Sequence, residues 1–152
     1  MKKSSLILAL ITVVLVFAVP STRAQGGAKQ GPDVIRDPDM EKDSLHNLEV
    51  ARQYFKLRKA YKASLARCEE IIAGNPTFSK IDEVLFIAGE SSLRLSENRG
   101  KQAVKTATDK LREDARDYLS QLVNGYPDSK FKDEALESLK SLGGPRPKES
   151  KP

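Results

Sequence analysis

Few side chains in this sequence have the types and spacing that catalysis requires. Nucleophilic catalysis needs a base beside a serine or cysteine, and the one histidine, His46, stands among solvent-type residues, which indicates a surface position. The acidic pairs Asp82-Glu83 and Asp133-Glu134 are adjacent in sequence, so their side chains diverge around a helix. Such pairs fit the first turn of a helix better than acid–base catalysis. The sequence also lacks zinc-ligand spacing, a phosphate loop and a dinucleotide fingerprint, and it therefore predicts a protein that is not an enzyme and has no cofactor.

The single cysteine, Cys68, excludes an intramolecular disulfide and hence a small secreted scaffold held by disulfides. Cys68 follows the helical spacing of Tyr61, Ser64, Leu65 and Ile72, which favours packing in a core. A reactive thiol or an intermolecular disulfide is the alternative.

The spacing of apolar residues predicts five helices, at about 41–58, 60–74, 80–96, 101–124 and 130–142, and no strand. The first of these places four residues on one face: Leu45, Leu48, Ala51 and Phe55. Between the second and third helices, Pro76 disfavours a helical Asn75, and Gly74 can take the left-handed conformation of a helix end. Ser79 is then a candidate cap for the third helix, with Asp82 and Glu83 in its first turn.

The same junction returns 51 positions later, where Pro127 corresponds to Pro76 and the pair Asp133-Glu134 to Asp82-Glu83. Repeated helix pairs bury their apolar stripes by stacking on one another. Twelve residues before each proline stands a small residue, Ser64 or Ala115, as tetratricopeptide-like helix pairs require for close approach. The sequence thus predicts an all-α, tetratricopeptide-like solenoid fragment of antiparallel helices. The 51-residue interval exceeds the usual repeat of about 34 residues, which indicates an insertion between Ser96 and Ala115.

The two ends of the chain have a different composition from this helical region. Residues 1–24 combine a basic start, an apolar run from Leu6 to Val19 and small residues, which predicts a signal peptide cleaved before Gln25; an uncleaved membrane anchor is the alternative. A Gly/Pro-rich linker is predicted at 25–40, the folded domain at 41–142 and a disordered tail at 143–152.

Charge gives little information about the partners of the folded domain. The chain has 26 basic and 21 acidic residues, and removing the three basic residues of the signal peptide leaves a net charge of only +2. No cluster of basic residues with interleaved aromatic residues is present, so nucleic acid is not an expected partner.

Several strings in this sequence resemble the BamD family of tetratricopeptide lipoproteins, which belong to the outer-membrane β-barrel assembly machinery. They are Lys-Ala-Tyr-Lys-Ala-Ser at 59–64, Asn-Pro-Thr-x-x-x-Ile-Asp-x-Val at 75–84, Gly89, and Leu-Val-x-Gly-Tyr-Pro-x-Ser at 122–129. The resemblance covers about residues 45–140. It implies an exported, periplasmic or outer-membrane-associated binding scaffold whose partners are barrel precursors or assembly components.

This sequence departs from the family pattern in two respects. Family members carry a lipidated cysteine after the signal peptide, where this chain has Gln25, and they have about five repeats, whereas this chain ends after the third proline-bounded helix. The C-terminal repeats of the family dock on the barrel-forming partner, and the N-terminal repeats contact barrel precursors. A periplasmic repeat adaptor of the Tol-Pal and cell-division type is the alternative function, because its repeats also contain Tyr-Pro-x-Ser junctions.

In a standard stack of helix pairs, the first, third and fifth helices line a concave face that binds peptides. The residues on these helices that lie off the packed stripes are the candidate partner-binding residues: Tyr54, Arg58, Glu90 and Arg94. Arg58 and Arg94 are expected to pair with a peptide carboxylate. Peripheral association with the membrane is a further expectation. A homodimer is also expected, because Phe131, Leu139 and Leu142 would be partly exposed on a last helix that no further repeat covers.

Overall fold

The structure, a computed structural model, describes residues 36–103 and 105–148. These residues form five α-helices and one π-helix: α1 (Pro38–Arg52), the π-helix (Gln53–Arg58), α2 (Tyr61–Gly74), α3 (Ile81–Ser96), α4 (Thr108–Gly125) and α5 (Lys132–Lys140). The predicted all-α, tetratricopeptide-like architecture is confirmed, and the described ranges contain no strand. The predicted signal peptide, its cleavage site and most of the predicted linker lie outside the described residues. Within those ranges, no helix is long and apolar enough to cross a bilayer.

The first helix begins and ends earlier than predicted. Asp37 caps α1 by accepting hydrogen bonds from the backbone N–H groups of Asp39 at 2.8 Å and Met40 at 3.3 Å, and Pro38 occupies the first turn. An Asp cap followed by proline is a strong start signal, and it lies in the segment assigned to the linker. The buried face of α1 consists of Ser44, Leu48 and Ala51, whereas Leu45, predicted to face the core, is 41% exposed.

The third helix is the central element of the fold. It packs against α2 on one side and α4 on the other, and 14 of its 16 residues are buried. Gly89 permits the close approach of α4, because a Cβ atom at this position would lie only 2.5 Å from Leu119 Cγ. The small residues predicted at close-packing positions, Ser64 and Ala115, are fully buried.

The two proline junctions have the same backbone path. We call residues 75–80 the first corner and residues 126–131 the second corner. In the first corner the N–H of Phe78 donates to the Asn75 carbonyl at 3.1 Å, and 51 positions later the N–H of Ser129 donates to the Tyr126 carbonyl at 3.1 Å. The residue that ends each preceding helix is also alike, with φ and ψ of −142° and 73° at Asn75 and −130° and 69° at Tyr126. The predicted repeat of the junction is therefore confirmed.

The residues predicted to cap these corners act differently from the prediction. Gly74 is not left-handed, since φ is positive only at three other described glycines. Ser79 does not cap α3, whose N-cap residue is Lys80 with no side-chain hydrogen bond. The backbone N–H of Ser79 instead donates to Glu41 Oε1 at 3.2 Å, so a carboxylate from α1 serves this corner.

The inserted segment is a loop rather than the start of α4. The fourth helix begins at Thr108, not near residue 101. In the loop before it, Gln102 Oε1 accepts a hydrogen bond of 3.1 Å from the backbone N–H of Ala63. Because α2 has no side-chain cap of its own, this contact satisfies one of the free N–H groups in its first turn.

The segment after α5 includes residues 143–148, which belong to the predicted disordered tail. The C-terminal strap, as we call residues 143–148, runs back along α4, where Arg116 Nε donates to the Gly144 carbonyl at 2.7 Å. The apolar residues of the last helix are also more buried than expected, since Leu139 is 0% exposed and Leu142 9%. Phe131 is half-buried and stacks on Phe86 with ring centroids 4.9 Å apart. The exposed apolar end on which the homodimer prediction depended is therefore not present.

Candidate protein-binding site

The junction between α1 and α2 is the most irregular part of the helical stack. From Gln53 to Arg58 the helix widens into a π-helix, and it closes with the Ala60 N–H donating to the Tyr54 carbonyl at 3.0 Å. Lys59 follows in the left-handed conformation with φ 51°. Short π-helical segments are uncommon and occur frequently at functional sites. Leu57 lies on this π-helix, and its side chain is 80% exposed.

Two of the four predicted binding residues, Tyr54 and Arg58, lie on this π-helix. The guanidinium of Arg58 is 5.7 Å from the centre of the Tyr54 ring, a cation–π contact at an exposed site. Because the ring holds the guanidinium in place, less side-chain freedom is lost when Arg58 binds an anionic group.

Tyr54 also lines a cleft of about 550 Å³ between α1 and α2. One wall comes from α1 and the π-helix, and the other comes from α2 and the inserted loop. The lining residues are His46, Asn47, Val50, Tyr54, Lys62, Ala63, Ala66, Arg67 and Gln102. Lys62 and Arg67 place two basic side chains on the α2 wall, where Arg67 pairs with Glu70 at 2.6 Å. Arg58, in contact with Tyr54, adds a further positive charge. Together with the apolar Leu57, this surface suits a peptide that carries a carboxylate next to an apolar side chain.

Glu90 and Arg94 occupy a different part of the molecule from Tyr54 and Arg58. Glu90 is only 5% exposed, and its two carboxylate oxygens accept hydrogen bonds from Arg94 Nη2 at 2.9 Å and from the Ser138 hydroxyl. The Arg94 guanidinium lies 4.7 Å from the Phe55 ring centre and 5.4 Å from that of Tyr61. The two side chains join α3 to its neighbours, so the prediction that they lie on a free concave face is wrong for Glu90 and unsupported for Arg94.

Sequence reasoning missed Leu57, Lys62, Arg67 and Gln102 as parts of this site. Leu57 could have been found, because it is an apolar residue off the stripe that Leu48 and Ala51 define. Glu90 and Arg94 are four positions apart, a spacing that equally predicts an ion pair between the two side chains on one helix face. Nothing local in the sequence predicts that Gln102 reaches α2 across 39 positions.

His46 and Cys68, the residues considered above for catalysis, do not form a reactive site. His46 is exposed, as predicted, and Cys68 is fully buried, which confirms the core-packing prediction. Burial raises the pKa of the Cys68 thiol far above its usual range, so the sulfur stays protonated and poorly nucleophilic. Among the residues that the structure describes, no group of three or more His, Cys, Asp or Glu side chains is arranged to hold a metal ion.

These features define the class of the protein as an all-helical, tetratricopeptide-like fold with an exposed, partly basic junction between its first two long helices. The family comparison specifies it further: the YfiO family model, described as outer membrane lipoprotein, matches residues 37–143. The chain therefore belongs to this family of outer membrane lipoproteins, and the match spans nearly all of the described helices. No curated protein and no solved structure matched the chain significantly.

Proposed function

We propose that this protein is a non-enzymatic binding scaffold on the periplasmic side of the outer membrane, of the β-barrel assembly type. The observation that carries the proposal is the match to the outer membrane lipoprotein family over residues 37–143. The BamD-like strings at the two corners and at 59–64 support the same role. In this role the protein engages segments of barrel precursors or of assembly components.

The contact surface we propose is the α1–α2 junction, with Tyr54, Leu57 and Arg58 as its centre. Arg58 pairs with a carboxylate of the bound segment, and the ring of Tyr54 holds the guanidinium in position. Leu57 supplies apolar area, since burying a leucine side chain contributes about 1.5–3 kcal/mol. Lys62 and Arg67 on the opposite wall attract the same negative charge from a distance.

Binding of a peptide from the C-terminus of a barrel protein tests this site. Replacing Arg58 by alanine is expected to weaken binding about tenfold, because a charge-assisted hydrogen bond contributes about 1.5–3 kcal/mol. Amidating the peptide C-terminus should weaken binding to the natural chain by a similar factor and should have little further effect on Arg58→Ala. Isothermal titration or fluorescence anisotropy measures both changes.

Arg99→Ala is the matched control, because Arg99 is also an exposed arginine outside the junction and pairs only with the exposed Glu97. It removes the same charge from the surface and should leave peptide affinity within a factor of two. Equal losses for Arg58→Ala and Arg99→Ala would show that bulk charge, rather than the junction, drives binding. No loss for Arg58→Ala would contradict the proposed site.

A further inference from the structure

The backbone of Arg146 makes two further contacts that hold the C-terminal strap on α4. The N–H of Arg146 donates to Ser120 Oγ at 2.8 Å, and Asn124 Nδ2 donates to the Arg146 carbonyl at 2.9 Å. The neighbours of Arg146 are Pro145 and Pro147, which have no N–H to donate. Two α4 side chains thus bind the N–H and the C=O of the arginine in a Pro-Arg-Pro segment.

The side chain of Arg146 is bound by the same face of the helix. Arg146 Nη2 donates to Glu113 Oε1 at 3.1 Å, and the guanidinium also forms an ion pair with Asp117. Four residues spaced by four, three and four positions therefore form a continuous row, which we call the α4 stripe: Glu113, Asp117, Ser120 and Asn124. Its acidic half binds a cationic side chain, and its amide and hydroxyl half binds an extended backbone.

Apart from its hydrogen bonds to α4, the strap makes mainly exposed contacts with the helix. Pro145 and Pro147 are exposed, and the Arg146 side chain is 41% exposed in its ion pairs. Exposed ion pairs contribute little to stability. A segment fixed in this way can exchange with another segment of the same chemistry without disturbing the core.

A groove of about 620 Å³ lies next to the strap and continues towards the second corner. Its far wall is apolar and consists of Ile72, Pro76, Ile81 and Leu85, and the ring of Tyr126 lines it as well. Extended proline-rich segments bind grooves with exposed aromatic rings, because the polyproline conformation costs little entropy to fix. The groove is therefore larger than the strap and suited to a longer segment of the same type.

We propose that the α4 stripe and this groove form a second binding surface, for an extended, proline-rich basic segment of a partner protein. The strap is an internal competitor that occupies the stripe until such a segment displaces it. This surface is separate from the α1–α2 junction, so the inference goes beyond the proposed function and does not depend on it.

The test uses the full chain and a labelled peptide with the strap sequence, Gly-Gly-Pro-Arg-Pro-Lys. Arg146→Ala removes the side chain that anchors the strap, and the variant should bind the peptide at least about tenfold more tightly than the natural chain. The reason is that a tethered competitor acts at an effective concentration of about millimolar. A peptide with glutamate in place of arginine should not bind either protein.

A second substitution identifies the surface. Adding Asp117→Asn to Arg146→Ala should abolish the gain in peptide affinity, because it removes one carboxylate of the stripe. Asp114→Asn is the matched control on the same helix, since Asp114 pairs with Lys110 rather than with the strap, and it should retain the gain. Circular dichroism confirms that each variant is folded.

Amide hydrogen exchange in the natural chain gives an independent measurement. Saturating peptide should accelerate exchange at the Arg146 N–H, which now donates to Ser120, while exchange in α3 stays unchanged. If the peptide does not bind Arg146→Ala, or binds without affecting the Arg146 amide, the strap is only an internal cap of α4 and the proposal is overturned.

Discussion

The two corners share one backbone path, but the molecule uses them in opposite ways. In the first corner Phe78 is 1% exposed and Asn75 is 7% exposed, and the side chains of Glu41 and Ser44 on α1 bind Asn75. In the second corner the residue at the Asn75 position is Tyr126, 37% exposed, and the residue at the Phe78 position is Ser129. A repeated turn therefore fixes where helices end, while the side chains it carries decide whether the corner becomes core or binding surface.

The hydrogen bonds of the two corners also differ, because each corner is attached to a different helix. Asn75 Nδ2 donates to Ser44 Oγ at 3.1 Å and to Glu41 Oε1 at 3.3 Å, which fastens the first corner to α1. The Ser129 hydroxyl donates to Asp82 Oδ2 at 2.7 Å, which fastens the second corner to the start of α3. Each corner thus contacts a helix that precedes it in the chain. In the second corner, Tyr126 lines the groove next to the C-terminal strap.

The largest expected difference between the corners is at Phe78 and its counterpart Ser129. Phe78→Ala should lower the free energy of unfolding by about 3–5 kcal/mol, because it leaves a cavity in the hydrophobic core. Ser129→Ala should cost only about 1 kcal/mol, the contribution of one hydrogen bond. Urea denaturation measures both, and similar costs at the two positions would contradict the assignment of the first corner to the core.

The next pair is Glu83 and its counterpart Glu134, each the third residue of the helix that follows its corner. Arg52 binds the Glu83 carboxylate with two hydrogen bonds, from Nε and Nη2, both of 2.7 Å. Glu134 is exposed. Glu83→Gln should therefore destabilise the fold by about 1–3 kcal/mol, and Glu134→Gln should change stability by no more than about 0.5 kcal/mol. Thermal denaturation at neutral pH distinguishes the two, and equal effects would mean that the Arg52 pair is not formed in solution.

The same pair predicts a pH dependence. Burial alone raises the pKa of Glu83, but the hydrogen bonds and charge of Arg52 outweigh it and hold the pKa below its ordinary value. The stability gained from this lowered pKa is fully present above the ordinary glutamate pKa of about 4.3 and is lost as the pH falls through the folded-state value. The free energy of unfolding should thus fall less steeply below about pH 4.3 in Glu83→Gln than in the natural chain. Identical pH profiles would contradict this linkage.

The smallest stability difference is expected at Asn75 and Tyr126. Asn75→Ala should cost about 0.5–1.5 kcal/mol, the usual contribution of an intramolecular hydrogen bond, because the Ser44 hydroxyl and Glu41 lose a donor, whereas Tyr126→Ala should cost about 0.5 kcal/mol or less. Tyr126→Ala should instead weaken binding of the proline-rich peptide to Arg146→Ala by several-fold. A large loss of stability in Tyr126→Ala would show that the second corner is structural rather than a binding surface.

The fold was largely predictable from the sequence, because its strongest signals are local. Pro76 and Pro127 each terminate a helix through the backbone of the preceding residue, so the interval of 51 residues gave the boundaries of four helices. Helical spacing likewise identified Cys68 as a core residue, and it is fully buried. The exact start of α1 was missed because the Asp-Pro cap lies in a segment rich in Gly and Pro.

The binding surfaces were only partly predictable, because they depend on contacts between distant parts of the chain. Tyr54 and Arg58, two of the predicted partner-binding residues, lie on a π-helix that has no clear sequence signal. Glu90 was misjudged because its partner Ser138 lies 48 positions away. Arg146 was assigned to a disordered tail for the same reason, since its partners on α4 are 22 to 33 positions away.

The most direct test of the account places a photo-crosslinking amino acid at position 57 of the full chain in the envelope of a Gram-negative cell. Leu57 is 80% exposed at the proposed contact, and position 140, on exposed Lys140 of α5, is the control. We expect position 57 to crosslink to barrel precursors or barrel assembly components and position 140 not to do so. Adducts with Tol-Pal or division proteins instead, or identical adducts from both positions, would contradict it.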